Sequence, residues 1–340
     1  MPVMTTEFIP FSDEETRVLV NLEQQYEVWI ESERAFLALP YNLRWKTVKD
    51  KDYLYELFDR TGNGKSLGPR SPKTEATLEE YLSDNVAVTN RRKESRDRLA
   101  ETCRLYRALR LPMIPSEAAE ILREADRRSL LGTHLLVVGT NAVPAYFVEA
   151  GGRITNAPAE TNDFDMAWTG SDSEEQDNPV WALLKSVDAT YTVNTERTFQ
   201  ARNSKAYEVE LLVAPSKVGT MGKRVQPTPV PLHEQEWLLR GKFVTRVIVA
   251  RDGTPARTVV PDPRWFALQK LWMSRQAKRN PLKRPKDEKQ GLALLSVIHD
   301  RMPQFKMDEE FENELPDELR PLYDEWKAQH RPQPSHSGRW

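Results

Sequence analysis

The stretch Glu160–Trp168, ETNDFDMAW, sets Asp163 and Asp165 one residue apart in an apolar, strand-like run. Side chains of an extended strand alternate between faces. The two aspartates therefore share one face with Ala167, while Phe164, Met166 and Trp168 share the other. Like charges at that spacing repel, and a bound cation removes the conflict. A D-x-D pair alone is also what the exposed face of an edge strand carries, so its meaning depends on its companions.

Upstream, HLLVVGTNAVPAYFVEAGG (His134–Gly152) reads as an apolar strand ending at Gly139, a tight turn, then a helix stopped by Gly151 and Gly152. Downstream, KAYEVELLVAP (Lys205–Pro215) reads as a strand with Tyr207, Val209, Leu211 and Val213 on one face and Glu208 and Glu210 on the other. Each feature is weak alone, but together they match one chemical need. Nucleotidyl transfer requires a triphosphate to be held, two divalent cations to be placed and an acceptor hydroxyl to lose its proton. Gly139 lets backbone pass close to phosphate. The helix N-terminus offers unpaired N–H groups, and Thr140 and Asn141 add side-chain donors. Asp163 and Asp165 bridge the cations, and a third carboxylate, Glu210 or Glu208, completes the acceptor side and serves as a base. Glu210 is preferred because the apolar LLVAP that follows sets it nearer the centre of its strand.

Gly139-Thr140, Asp163-Phe164-Asp165 and Glu210 resemble the pattern of the nucleotidyltransferase fold that DNA polymerase β shares with small bacterial nucleotidyltransferases. The chain looks closest to poorly characterised bacterial proteins of that fold, through its KSLG.RS-like and VVGTNA-like segments and its T.D.D spacing. The likeness spans most of residues 50 to 300. It departs from the wider family in carrying Glu where Asp is common as the third acid, and Gly-Thr-Asn where Gly-Ser is common at the turn. The resemblance implies an α+β fold with a mixed-sheet nucleotidyltransferase core, an NTP substrate and Mg²⁺ or Mn²⁺ held by Asp163, Asp165 and Glu210. The acceptor is an RNA end, a protein hydroxyl or a small molecule, and a toxin-like setting suits the fold. A rival of another class is a non-catalytic protein that keeps the fold and holds nucleic acid or a partner on basic helices. The intact acidic trio favours the enzyme.

Two basic regions bear on the nucleotide. Arg264–Gln290 holds nine basic and two acidic residues, a local charge of +7. In helical register Phe266, Leu268, Leu271 and Trp272 pack inward and leave Lys270, Arg275, Lys278 and Arg279 for solvent or ligand. The resemblance favours a basic residue near the nucleotide, Lys270 and Arg275 first and Lys286 behind them. The second region, Thr61–Ala76, concentrates Gly, Pro and Ser with Lys65 and Arg70, reads as a loop, and offers phosphate or nucleic-acid contacts. Its GNGKS is not a P-loop: Asp59 stands where the first glycine is needed, and DYLYELF does not read as a buried strand leading into it.

These readings divide the chain into a mostly helical region at 1–112, a nucleotidyltransferase core at 113–260, a C-terminal helical region at 261–330 and a flexible tail at 331–340. With 340 residues the chain has room for such an arrangement. Its 49 basic and 51 acidic residues nearly cancel, so whole-chain charge points to no polyanionic partner. Cys103 is the one cysteine, which rules out an internal disulfide and cysteine-built metal sites, and the five histidines are dispersed. Carboxylates are the metal ligands to expect. A reducing compartment, no basic leader and no long apolar span together predict a cytoplasmic protein.

Overall fold

Alternation of apolar and acidic residues builds the central sheet. In the computed structural model, which describes residues 8–155, 163–170, 179–221 and 225–330, the elements run in chain order. The first are β1 (Phe8–Pro10), α1 (Asp13–Ala38), β2 (Asn42–Val48), β3 (Lys51–Leu57), β4 (Gly64–Pro69) and α2 (Pro72–Ala108). Then come β5 (Met113–Ile114), α3 (Ser116–Arg127), β6 (Leu135–Val137), α4 (Val143–Ala150), β7 (Gly152–Ile154), β8 (Asp163–Trp168) and α5 (Pro179–Val187). Next are β9 (Thr192–Val193), β10 (Gln200–Arg202), β11 (Glu208–Val213), β12 (Val230–Pro231), α6 (Gln235–Leu238), β13 (Val244–Ala250) and β14 (Pro255–Val260). The chain closes with α7 (Pro263–Ser274), α8 (Arg284–Arg301), α9 (Glu309–Glu314) and α10 (Arg320–His330). This is an α+β fold. The expected tail at 331–340 lies outside the described residues. Among the described residues no helix is long and apolar enough to cross a membrane.

The chain divides into two compact units. One comprises the residues up to Arg17 and from Arg110 onward; the other is Val18–Leu109. In the larger unit a mixed sheet runs β6-β8-β11-β10-β9, with β12 extending the edge of β11. β8 and β11 are parallel, and β6 and β10 flank them antiparallel. Phe164, Met166, Val209, Leu211 and Val213 are buried on the inward face. The β-rich segments KFVTRVIVA and ARTVV lie elsewhere: β13 and β14 form a separate sheet with β5.

The smaller unit corrects two readings. Between α1 and α2 stands an antiparallel meander, β2-β3-β4, and the segment read as a loop from Thr61 to Ala76 supplies its third strand and the first turn of α2. The DYLYEL of that run is itself strand, within β3, which ends at Leu57. Gly64 is required by close pairing: a Cβ there would lie 2.2 Å from the Glu56 carbonyl oxygen. Ser71 starts α2 with a capping box, its hydroxyl accepting from the Thr74 N–H while Thr74 returns a bond to the Ser71 N–H, and Pro72 occupies the first turn.

Candidate active site

The register of two strands gathers four carboxylates. Parallel pairing of β8 with β11 sets Asp163 beside Glu208 and Asp165 beside Glu210, and burial of the alternate apolar residues turns all four acids to the same face. β10 then distinguishes the glutamates. Its Arg202, in register with Glu208, forms an ion pair with it, whereas its Gln200, in register with Glu210, donates an amide hydrogen bond to Glu210 Oε1 at 2.5 Å. Glu208 is thus neutralised by a cation and Glu210 is not. Glu210 lines a cavity of about 710 Å³ with Asp163 and Asp165, and Glu208 does not.

The turn after β6 locks against these acids. Gly139 has φ +66°, and a Cβ on it would come 2.1 Å from Asp165 Oδ2, so glycine is needed both for the backbone conformation and for the close approach. The Val138 N–H donates to the Asp165 carbonyl at 3.0 Å, and the buried Asn141 donates its amide to the Asp163 carbonyl at 2.8 Å. Gly139 and Thr140 line the cavity, while the Asn141 side chain is committed to the backbone of β8 behind it.

Asp165 sits at the centre of this crowding. Its carboxyl is pushed up to about 7, first by removal from water and then by the neighbouring charges of Asp163 and Glu210, against the opposing pull of Lys270 and Lys283. The opposite wall comes from α7, α8 and the turn between them. Lys270, expected on a solvent or ligand face, is buried on α7, its Nζ 3.1 Å from Asp287 Oδ1; Arg279 holds the other oxygen of Asp287 at 2.7 Å. A buried lysine requires such a partner, and Asp287 lies seventeen positions further on, beyond the reach of helical periodicity. Lys270, Lys278, Arg279 and Lys286 all line the cavity, and burial, then the nearby Lys270, pulls the Lys286 amine below its usual range. Arg275 does not line it; it pairs with the exposed Glu325 at 2.6 Å. Lys65 and Arg70 belong to the other unit, where Lys65 pairs with Glu56 and Arg70 with Glu75 and Asp52.

Sequence reasoning missed Lys283, whose Nζ lies 3.2 Å from Asp163 Oδ2. Its signal is a lysine between Pro281 and Pro285, in the short turn that joins two helices. Also missed was the apolar end of the cavity, where Phe199, Leu212, Val230, Leu232, Trp272 and Met273 continue the floor beyond Glu210. Among the described residues no three His, Cys, Asp or Glu side chains are gathered tightly enough to enclose a metal ion by themselves. The acidic trio shares one cavity without forming a closed cage, with Asp163 engaged by Lys283 and Glu210 by Gln200.

A mixed sheet that brings a glycine turn onto clustered carboxylates, across a cavity from a lysine-rich wall, defines a protein that handles phosphate groups. A family model described as Nucleotidyltransferase matches residues 116–316, more than half of the chain. The chain belongs to this nucleotidyltransferase family, and membership carries a general role in nucleotidyl transfer. Neither the curated proteins nor the solved structures include a match.

Proposed function

We propose that the chain is a divalent-cation-dependent nucleotidyltransferase that moves an NMP group from an NTP to an acceptor hydroxyl. The observation that carries this reading is the crowding at Asp165: a carboxyl raised to about 7 by burial and by Asp163 and Glu210 is a site that gains most from a bound cation. The donor set is all oxygen, which suits Mg²⁺ or Mn²⁺. Such ions take part of their shell from water and substrate phosphate, so an open trio fits them. Asp163, Asp165 and Glu210 hold the metal, which when bound neutralises phosphate charge and favours the ionised acceptor oxygen.

The triphosphate lies between the Gly139-Thr140 turn and the basic wall. Lys278, Arg279, Lys283 and Lys286 offset its charge, and Lys270 steadies that wall through Asp287. The base and sugar occupy the apolar end beyond Glu210, in a cavity of a size ordinary for small-molecule sites. The acceptor oxygen attacks the α-phosphorus, its proton passes to Glu210, and the bond to the bridging oxygen breaks as pyrophosphate leaves toward the lysines. The test is incubation of the protein with each α-labelled NTP, Mg²⁺ or Mn²⁺, and total cellular RNA and protein. Metal-dependent label on one acceptor class is expected. No label with any NTP, in samples where Asp165→Asn behaves identically, would remove the proposal.

A further inference from the structure

The meander of the smaller unit has two unlike faces. On one, Leu43, Trp45 and Leu54 pack with Leu78 and Tyr81 of α2. Both acids of the strands lie on that same face and both are occupied: Asp52 by the Thr47 hydroxyl at 2.7 Å and by Arg70, Glu56 by Lys65 at 2.9 Å. The register sets Arg44 opposite Tyr55, Lys46 opposite Tyr53 and Lys51 opposite Val48 on the other face. That face carries three cations and two aromatic rings, and none of the acids of its strands. Arg44, Lys46 and Lys51 are exposed, the tyrosines are half-buried, and the Lys46 ammonium lies 5.2 Å from the centre of the Tyr55 ring. None of the three cations has an ion-pair partner among the described residues.

We infer that this face binds single-stranded nucleic acid. The charge selects a polyanion, and the rings narrow the class. Tyr53 and Tyr55 stand two residues apart on one strand, about 7 Å at the usual rise, against a spacing of about 3.4 Å between stacked bases of a duplex. The rings therefore suit bases that are splayed apart and free to stack, while Arg44, Lys46 and Lys51 follow the phosphates. A duplex keeps its base faces stacked and would use the cations only. An acidic peptide would likewise leave the rings idle. Affinity at this surface is measured without nucleotide or metal, so its failure is distinguishable from a failure of the proposed nucleotidyl transfer.

The test is fluorescence anisotropy of a labelled 20-nucleotide single-stranded RNA and its DNA equivalent, with the full chain in EDTA. Arg44→Gln with Lys46→Gln should weaken binding at least tenfold and make the slope of log affinity against log salt shallower by about 1.4, two contacts at about 0.7 each. Tyr53→Leu with Tyr55→Leu keeps apolar bulk, removes the rings, and should also cost at least tenfold, with little change of slope. Lys65→Gln, on the opposite face, should change affinity less than twofold. Circular dichroism identifies any variant that fails to fold, and the remaining double variant then decides. Absent binding, tighter binding of duplex or of anionic vesicles, or equal affinity of a folded double variant and wild type would overturn the inference.

Discussion

Replacing Asp165 with Asn should stabilise the metal-free protein at alkaline pH and not at acid pH. The unfolded carboxyl titrates at its ordinary value near 3.8, and the folded one is pushed up to about 7. Between those values the native state keeps a proton that the unfolded state has released, so stability falls as pH rises and the loss is complete above about 7. Three units at about 1.36 kcal/mol each set an upper bound of about 4 kcal/mol, and water entering from the cavity reduces the expected effect to about 2–4 kcal/mol. Asn cannot ionise, so the gap between variant and wild type should open across this window. Urea unfolding in EDTA from pH 4.5 to 8.5, followed by tryptophan fluorescence, reads it directly; most of the tryptophans lie in the larger unit. At pH 8 added Mg²⁺ should restore wild type and leave Asp165→Asn unchanged. Curves that run parallel across the whole range would refute the argument that crowding at Asp165 stores this energy.

Much of this geometry was legible from local pattern, and what was not depended on pairing across the chain. The alternation in DFDMAW and YEVELLV fixes which residues share a face, because a buried strand face admits no other parity. The strand, turn and helix around Gly139 follow from its apolar run and small residues. The choice between Glu208 and Glu210 needed β10: Arg202 neutralises Glu208, whereas Gln200 only donates a hydrogen bond to Glu210, and only the register tells which. The strand hidden in GNGKSLGP was obscured because glycine marks loops and close strand contacts alike, and here Gly64 serves contact with Glu56. Its neighbour Ser71-Pro72 did carry a readable helix start. Lys270 looked like a surface residue because an amphipathic pattern assigns charge to solvent, and nothing nearby in the sequence shows that Asp287 will accompany it inward.

Glu210→Gln should lower labelling by NTP about 100-fold or more while Glu208→Gln changes it only a few-fold, since one faces the cavity and the other Arg202; equal losses would shift the third acid. Gly139→Ala should cost about 2 kcal/mol in urea unfolding, from its left-handed backbone and the clash with Asp165, and should also abolish transfer; wild-type stability would show that the turn yields. Lys270→Met should cost about 3 kcal/mol by leaving Asp287 half-compensated, against less than about 1 kcal/mol for Arg275→Ala with its exposed partner; similar melting of the two would count against the buried pair. Lys283→Gln separates two roles in one measurement. Its ammonium sits on Asp163, so in the absence of nucleotide it competes with a divalent cation for that carboxylate, and removing it should tighten Mn²⁺ binding about threefold by electron paramagnetic resonance, less at high salt. The same change takes away a cation facing the departing pyrophosphate, so transfer should slow even as metal binds better. Weaker Mn²⁺ binding in the variant would mean that Lys283 supports the metal site and does not compete for it.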